Sequence, residues 1–127
     1  MESLVKAIVA LTPAADHRTK EGYFVNLDGS GNAAVSSSAT TKPFGLILQS
    51  ENTDGVDSVA VCGGNVGVCK VKASGTIAKG AYVQLHTDGS VVTDAGSGAR
   101  VLVGIALEAA VSGDLIDVVP ITPVVYS

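Results

Sequence analysis

Residues 79–120 read KGAYVQLHTDGSVVTDAGSGARVLVGIALEAAVSGDLIDVVP, and residues 21–61 restate them in other letters. Lys79-Gly80-Ala81-Tyr82-Val83-Gln84-Leu85 stands beside Glu21-Gly22-Tyr23-Phe24-Val25-Asn26-Leu27. Asp88-Gly89-Ser90 stands beside Asp28-Gly29-Ser30, and Val103-Gly104-Ile105-Ala106-Leu107 beside Phe44-Gly45-Leu46-Ile47-Leu48. Asp114-Leu115-Ile116-Asp117-Val118 closes the second copy as Asp57-Ser58-Val59-Ala60-Val61 closes the first. Val25 and Val83 are 58 positions apart, Gly29 and Gly89 are 60, Gly45 and Gly104 are 59, and Asp57 and Asp114 are 57. Four features that keep their order and nearly their spacing mark an internal duplication. Two units are too few for a solenoid. The expected product is a single domain over residues 1–127, with pseudo-repeats at about residues 22–61 and 80–118 sharing one core.

Outward from these repeats, short strands and turn signals alternate. Residues 4–11 (LVKAIVAL) are rich in Val and Ile and read as a strand or an N-terminal arm over 1–11, stopped by Thr12-Pro13. Residues 14–22 (AADHRTKEG) are polar and read as a loop or one helical turn. In residues 23–27, Tyr23, Val25 and Leu27 share one face, and Asp28-Gly29 then signals a hairpin. Residues 44–49 and 57–62 are strands, with turns at 51–55 and 63–65. In residues 66–73, Cys69, Val71 and Ala73 face inward, while Lys70 and Lys72 face solvent. The second copy repeats the series, with its last strand expected over 115–119, ahead of Pro120 and Pro123. About eight strands with a turn every 8–12 residues predict an all-β barrel or sandwich with minimal helix. Val25 with Val83, Leu48 with Leu107, and Val59 with Ile116, or their neighbours, are the expected buried equivalents.

The composition points to covered surface. Charged residues are 16% of the chain, against roughly 25% in average domains. A small domain has much surface to cover, so a shortage of polar residues predicts permanent partners. Net charge is −4, with no basic run, which disfavours nucleic acid. No run approaches the roughly 18 apolar residues that span a bilayer, so the expected partner is protein, not membrane. Residues 1–6 lack the pattern of a signal peptide, and synthesis in a cytoplasm is expected.

Motifs with chemical meaning fare poorly. Gly29-Ser30-Gly31-Asn32-Ala33-Ala34 matches G-x-G-x-x-A, but Val35-Ser36-Ser37-Ser38-Ala39-Thr40-Thr41 after it makes a poor helix, so the run reads as a turn. Cys62 and Cys69 match no common zinc spacing. With Gly64-Asn65 as a hairpin loop, Ala60 would face Cys69, and the cysteines would lie diagonally, too far apart for an unstrained disulfide. They read as reduced, buried small hydrophobes. His17 and His86 read as surface residues, and Asp28 and Asp88 as equivalent turn caps. No nucleophile elbow, P-loop or HExxH is present, so neither an enzyme nor a cofactor or metal is expected.

Residues 103–110 (VGIALEAA) followed by 113–118 (GDLIDV) resemble the closing segment of a family of small tailed-phage capsid decoration (head fibre, head-stabilising) proteins, with Lys79-Gly80-Ala81-Tyr82-Val83 and Asp88-Gly89-Ser90 in keeping. The resemblance is strongest over residues 71–120. It implies an all-β domain of β-clip or tulip-like style that binds the exterior of an icosahedral head as a homotrimer, with the major capsid protein as partner and no catalytic residues. A small carbohydrate- or host-surface-binding module is the alternative, though such modules present Trp or Tyr platforms and this chain has no Trp. The apolar ends supply the expected interface residues: Leu4, Val5 and Ile8 at one end, and Val124, Val125 and Tyr126 at the other. Loose strand-forming ends invite pairing, here with a trimer neighbour or a capsid edge strand.

Overall fold

The computed structural model describes residues 7–50, 55–64 and 67–127. The expected turn at 51–55 and the start of the expected strand at 66–73 thus fall partly outside the described residues. Ten strands form: β1 (Ile8–Leu11), β2 (Phe24–Leu27), β3 (Ala33–Val35), β4 (Gly45–Gln49), β5 (Asp57–Val61), β6 (Cys69–Lys72), β7 (Tyr82–Leu85), β8 (Val91–Thr93), β9 (Arg100–Ala106) and β10 (Leu115–Tyr126). Among the described residues there is no helix. They make two five-stranded antiparallel sheets, ordered β1-β5-β4-β2-β3 and β6-β10-β9-β7-β8. Each strand of the second sheet is the one five places further along the chain. The duplication therefore takes in β1 and β6 as well, which the aligned letters did not reach.

The register sharpens the correspondence. Gly45 and Gly104 both lie where a neighbouring strand passes closely. A Cβ at Gly45 would come within 2.7 Å of the Ala60 carbonyl oxygen, and one at Gly104 within 2.8 Å of that of Val119. Val59 and Val118 flank these sites in the same way, so Val59 corresponds to Val118, two residues beyond Ile116. Asp57 then corresponds to Ile116 rather than to Asp114. The turns shift too. The Gly31 amide donates to the Asp28 carbonyl and the Gly89 amide to the His86 carbonyl, so Gly31 is the equivalent of Gly89 and Asp28 that of His86. Gly31 and Gly89 have φ of 79° and 86°, whereas Gly29 is not in that region. The expected pairing of Gly29 with Gly89 followed the letters Asp-Gly-Ser and missed the turn by two residues.

Two further expectations are corrected. β5 pairs with β1 and β4, while β6 pairs with β10, so β5 and β6 lie in different sheets and do not form a hairpin. The last strand does not stop at Pro120 but continues to Tyr126, with a register shift between Pro120 and Val124. It pairs with β6 only from Leu115 to Val118, so Pro120 lies where β10 has β9 alone as neighbour. Such an edge position tolerates the missing proline N–H.

Among the described residues the core forms two buried clusters, the larger of which spans both lobes. The smaller comprises Val25, Ala33, Ile47 and Val59 in the first lobe. The larger holds Val71, Val83, Leu85, Val91, Val101 and Val103, among others, in the second lobe, and also takes in Phe24 and Leu46 of the first. Each fully buried Val, Leu or Ile contributes about 1.5–3 kcal/mol. Val25 and Val83 are both fully buried, as expected. Leu107 is 40% exposed and Leu48 half-buried, so that expected pair is not a core pair.

Among the described residues, two main-chain hydrogen bonds join the lobes. The Phe24 amide donates to the Gly89 carbonyl at 2.8 Å, seating the tip of the β7–β8 hairpin against β2. The Lys72 amide donates to the Gly22 carbonyl at 2.9 Å, seating the loop before β2 against β6. Both glycines are buried at these contacts. A Cβ on Gly89 would stand 3.0 Å from the Phe24 oxygen, and one on Gly22 would stand 2.9 Å from the Lys72 nitrogen.

Candidate interaction surface

Reactive groups are placed for structure. Burial pushes the Cys62 thiol up to about 12, which leaves almost no thiolate at neutral pH. Cys69 is buried against the larger cluster and is likewise raised by burial, and both cysteines are free thiols. The Asp28 carboxylate accepts from the Ser30 and Asn32 amides at 2.9 Å, and Asp88 accepts from the Ser90 amide at 3.0 Å. Both are turn caps, though at non-equivalent positions. Burial raises the Asp88 pKa, but the Ser90 hydroxyl and amide outweigh that and hold it below its ordinary value. Gly29 to Ala34 forms the β2–β3 turn and the start of β3, with no helix to hold a phosphate. Among the described residues no cluster of His, Cys, Asp and Glu has the makings of a metal site.

His17 is not a surface residue. It is 2% exposed, and its Nδ1 lies 2.6 Å from Oδ2 of the fully buried Asp57. The polar letters around it concealed this, since Asp16 and Arg18 on either side are exposed and pair with each other. The duplication explains the position. Pro13 bridges to Ala33 as Ala73 bridges to Val91, and four residues further on come His17 and Ile77. Asp57 corresponds to Ile116, so the first lobe holds a His–Asp pair where the second holds two buried isoleucines.

The expected interface residues fall as follows. Leu4 and Val5 lie outside the described residues. Ile8 opens β1, the edge strand of the first sheet, and is 50% exposed. Val124, Val125 and Tyr126 are 42%, 52% and 41% exposed. They are not loose, because Val124, Val125 and Tyr126 pair with Leu102, Val101 and Arg100 of β9. The Tyr126 ring lies 4.2 Å from the Arg100 guanidinium carbon. Arg100 is in turn held by Asp94 at 2.5 Å and by the Gly98 carbonyl at 2.9 Å. Asp94 is lowered by the Gly96 amide, and Arg100 adds to this against the opposing effect of burial. The C-terminal residues thus form a fixed apolar ledge, while Ile8 lies on the strand that forms the sheet edge among the described strands.

Sequence reasoning did not single out Leu27, Tyr82, Val111 and Leu115, which are 46%, 50%, 60% and 43% exposed. Leu27 shares a face with Val25 by alternation, but it stands at the end of β2, past the buried stretch.

No family model and no curated protein sequence matches the chain. Among solved structures it is similar to the crystal structure of the head fiber gp8.5 N base in bacteriophage phi29. The likeness covers 89% of this chain and 93% of that one, at 21% identity and a TM-score of 0.62. The fold is that of a phage head fibre base. The resemblance to head fibre proteins read over residues 71–120 holds as a likeness of fold, and it extends to both lobes.

Proposed function

We propose that the chain is a non-enzymatic decoration protein of a tailed-phage head, made in the host cytoplasm and carried on the outside of the virion. Three copies assemble and bridge subunits of the major capsid protein. The observation that supports this most is the likeness, across nearly the whole chain, to the base of a head fibre. The surface fits such a role: charged residues are scarce, and Ile8, Val124, Val125 and Tyr126 are exposed apolar groups on ordered strands. Among the described strands β1 pairs with β5 alone, which suits it to strand addition by a capsid segment or a sister copy. A protein that binds assembled shells and not separated subunits stabilises the shell by its binding free energy.

Mixing the purified chain with undecorated shells and counting occupied sites by electron microscopy tests the reading. Regular decoration is expected, and shells that stay bare would overturn it. Removing residues 1–6 leaves β1 in place, because the strand starts at Ile8 and Ala7 accepts from the Val61 amide. That truncation should fold and fail to decorate. Full occupancy by the truncated chain would exclude the N-terminal segment from the contact.

A further inference from the structure

Within one chain the lobes meet through unlike surfaces. The first lobe contributes the loop at Gly22 and the side of β2 at Phe24, and the second contributes the β6 edge and the hairpin tip at Gly89. A twofold arrangement would use each surface twice, and this one does not. Gly80 is the equivalent of Gly22, since each donates its amide to β9 or β4 at the matching residue, Ala106 or Ile47. A Cβ at Gly80 or at Gly31 would meet nothing within 4 Å, whereas at Gly22 and Gly89 it would meet the other lobe. The contact is head to tail, and each lobe keeps one half of it unused. On the second lobe that half carries Tyr82, 50% exposed where its equivalent Phe24 is 2%. On the first lobe it carries Leu27, 46% exposed where its equivalent Leu85 is fully buried.

We propose that these unused halves meet between copies: the Gly80–Tyr82 face of one chain receives the Leu27–Gly31 face of the next, repeating the lobe contact found inside the chain. The chain itself identifies the occupant. A hairpin tip with a positive-φ glycine is what covers Phe24, and the same kind of tip, closed by Gly31, is exposed on the first lobe of every copy. The main-chain atoms correspond as well. Gly31 carbonyl and Tyr82 amide are the equivalents of the Gly89 carbonyl and Phe24 amide that bond at 2.8 Å. A head-to-tail contact closes into a ring when its rotation allows and otherwise runs on as a filament. A ring of three chains would set six lobes in a circle. The inference deepens the trimer proposed above, and its test involves no capsid, so its failure is separable from failure of shell binding.

The test is mass in solution by analytical ultracentrifugation at about 100 μM, with wild type, Tyr82→Asp, Leu27→Asp and the outlying control Val111→Asp. Wild type and the control are expected near three times 12.7 kDa, and the two face variants near 12.7 kDa with unchanged circular dichroism. Mixing Tyr82→Asp with Leu27→Asp should then give dimers and nothing larger, because each mixed pair retains one intact contact. Should an Asp variant not fold, Tyr82→Ser and Leu27→Ser carry the same comparison. A monomeric wild type overturns the proposal, as does a face variant that keeps the wild-type mass. A mixture that stays monomeric also overturns it, since both residues would then serve a single symmetric contact.

Discussion

Gly29 and Gly31 lie two residues apart in one turn and differ in what they contribute. Gly31 has φ of 79°, a region that costs an ordinary L-residue roughly 1–2 kcal/mol. Gly29 lies outside that region, and a Cβ there would meet nothing within 4 Å. Gly31→Ala should therefore destabilise the chain by about 1 kcal/mol, while Gly29→Ala should be neutral or stabilise it by up to about 1 kcal/mol through the unfolded state. Urea unfolding of both variants decides the matter, and equal losses would restore the Asp-Gly reading of the turn. At this scale the sequence spoke clearly where side-chain size or backbone freedom was decisive. Val25, Val83, Gly45 and Gly104 were all aligned correctly from their letters. It misled where one dipeptide occurred in two different frames, as Asp28-Gly29 and Asp88-Gly89 do.

Among the elements, the loops before β2 and β7 differ most between lobes, because one encloses His17 against Asp57 and the other Ile77 near Ile116. Removing one partner of a buried hydrogen bond costs about 1–3 kcal/mol, whereas replacing both partners by apolar groups of similar shape can be nearly neutral. Here the second lobe shows that the same frame accepts isoleucine at both places. Asp57→Ala should cost about 1–3 kcal/mol, and the double variant His17→Ile with Asp57→Ile should recover most of that loss. A double-mutant cycle measured by urea unfolding reads the coupling. A double variant no more stable than Asp57→Ala would show that the frames of the two lobes differ here. The pair was hidden in the sequence because its partners are 40 residues apart and flanked by exposed polar residues. The continuation of β10 past two prolines was hidden for a related reason. A strand loses its tolerance for proline only where it has neighbours on both sides, and neighbours are a property of the sheet.

For the molecule as a whole, the burial of Phe24 against the second lobe and the exposure of Tyr82 give equivalent positions unequal weight. Phe24→Ala removes an aromatic ring from the cluster that spans both lobes and should cost about 3–5 kcal/mol. Tyr82→Ala, measured on the dissociated chain, should change stability by no more than about 0.5 kcal/mol. Denaturant midpoints at low protein concentration give both numbers, and a large loss for Tyr82→Ala would mean that its face is already covered within the chain. The all-β class and the two-lobed plan were legible from the repeat alone. The division into two sheets was not, because a hairpin between residues 61 and 68 and a crossing between sheets make the same demand on local letters.

The bonds that clasp the lobes, Phe24 amide to Gly89 carbonyl and Lys72 amide to Gly22 carbonyl, belong to the main chain. An amide and a carbonyl attract each other whatever side chains they carry, so the joint asks little of the alphabet beyond glycine at two tight spots. Substitutions that spare these glycines and the packing of Phe24 can accumulate on both sides of it without loosening it. Within this one chain, phenylalanine and tyrosine, histidine and isoleucine, and aspartate and isoleucine have already parted company at matching places while the strand order stayed the same. Descent in proteins built this way is recorded in spacing and backbone posture, and a search that weighs letters one by one will lose the trail long before the shape has changed.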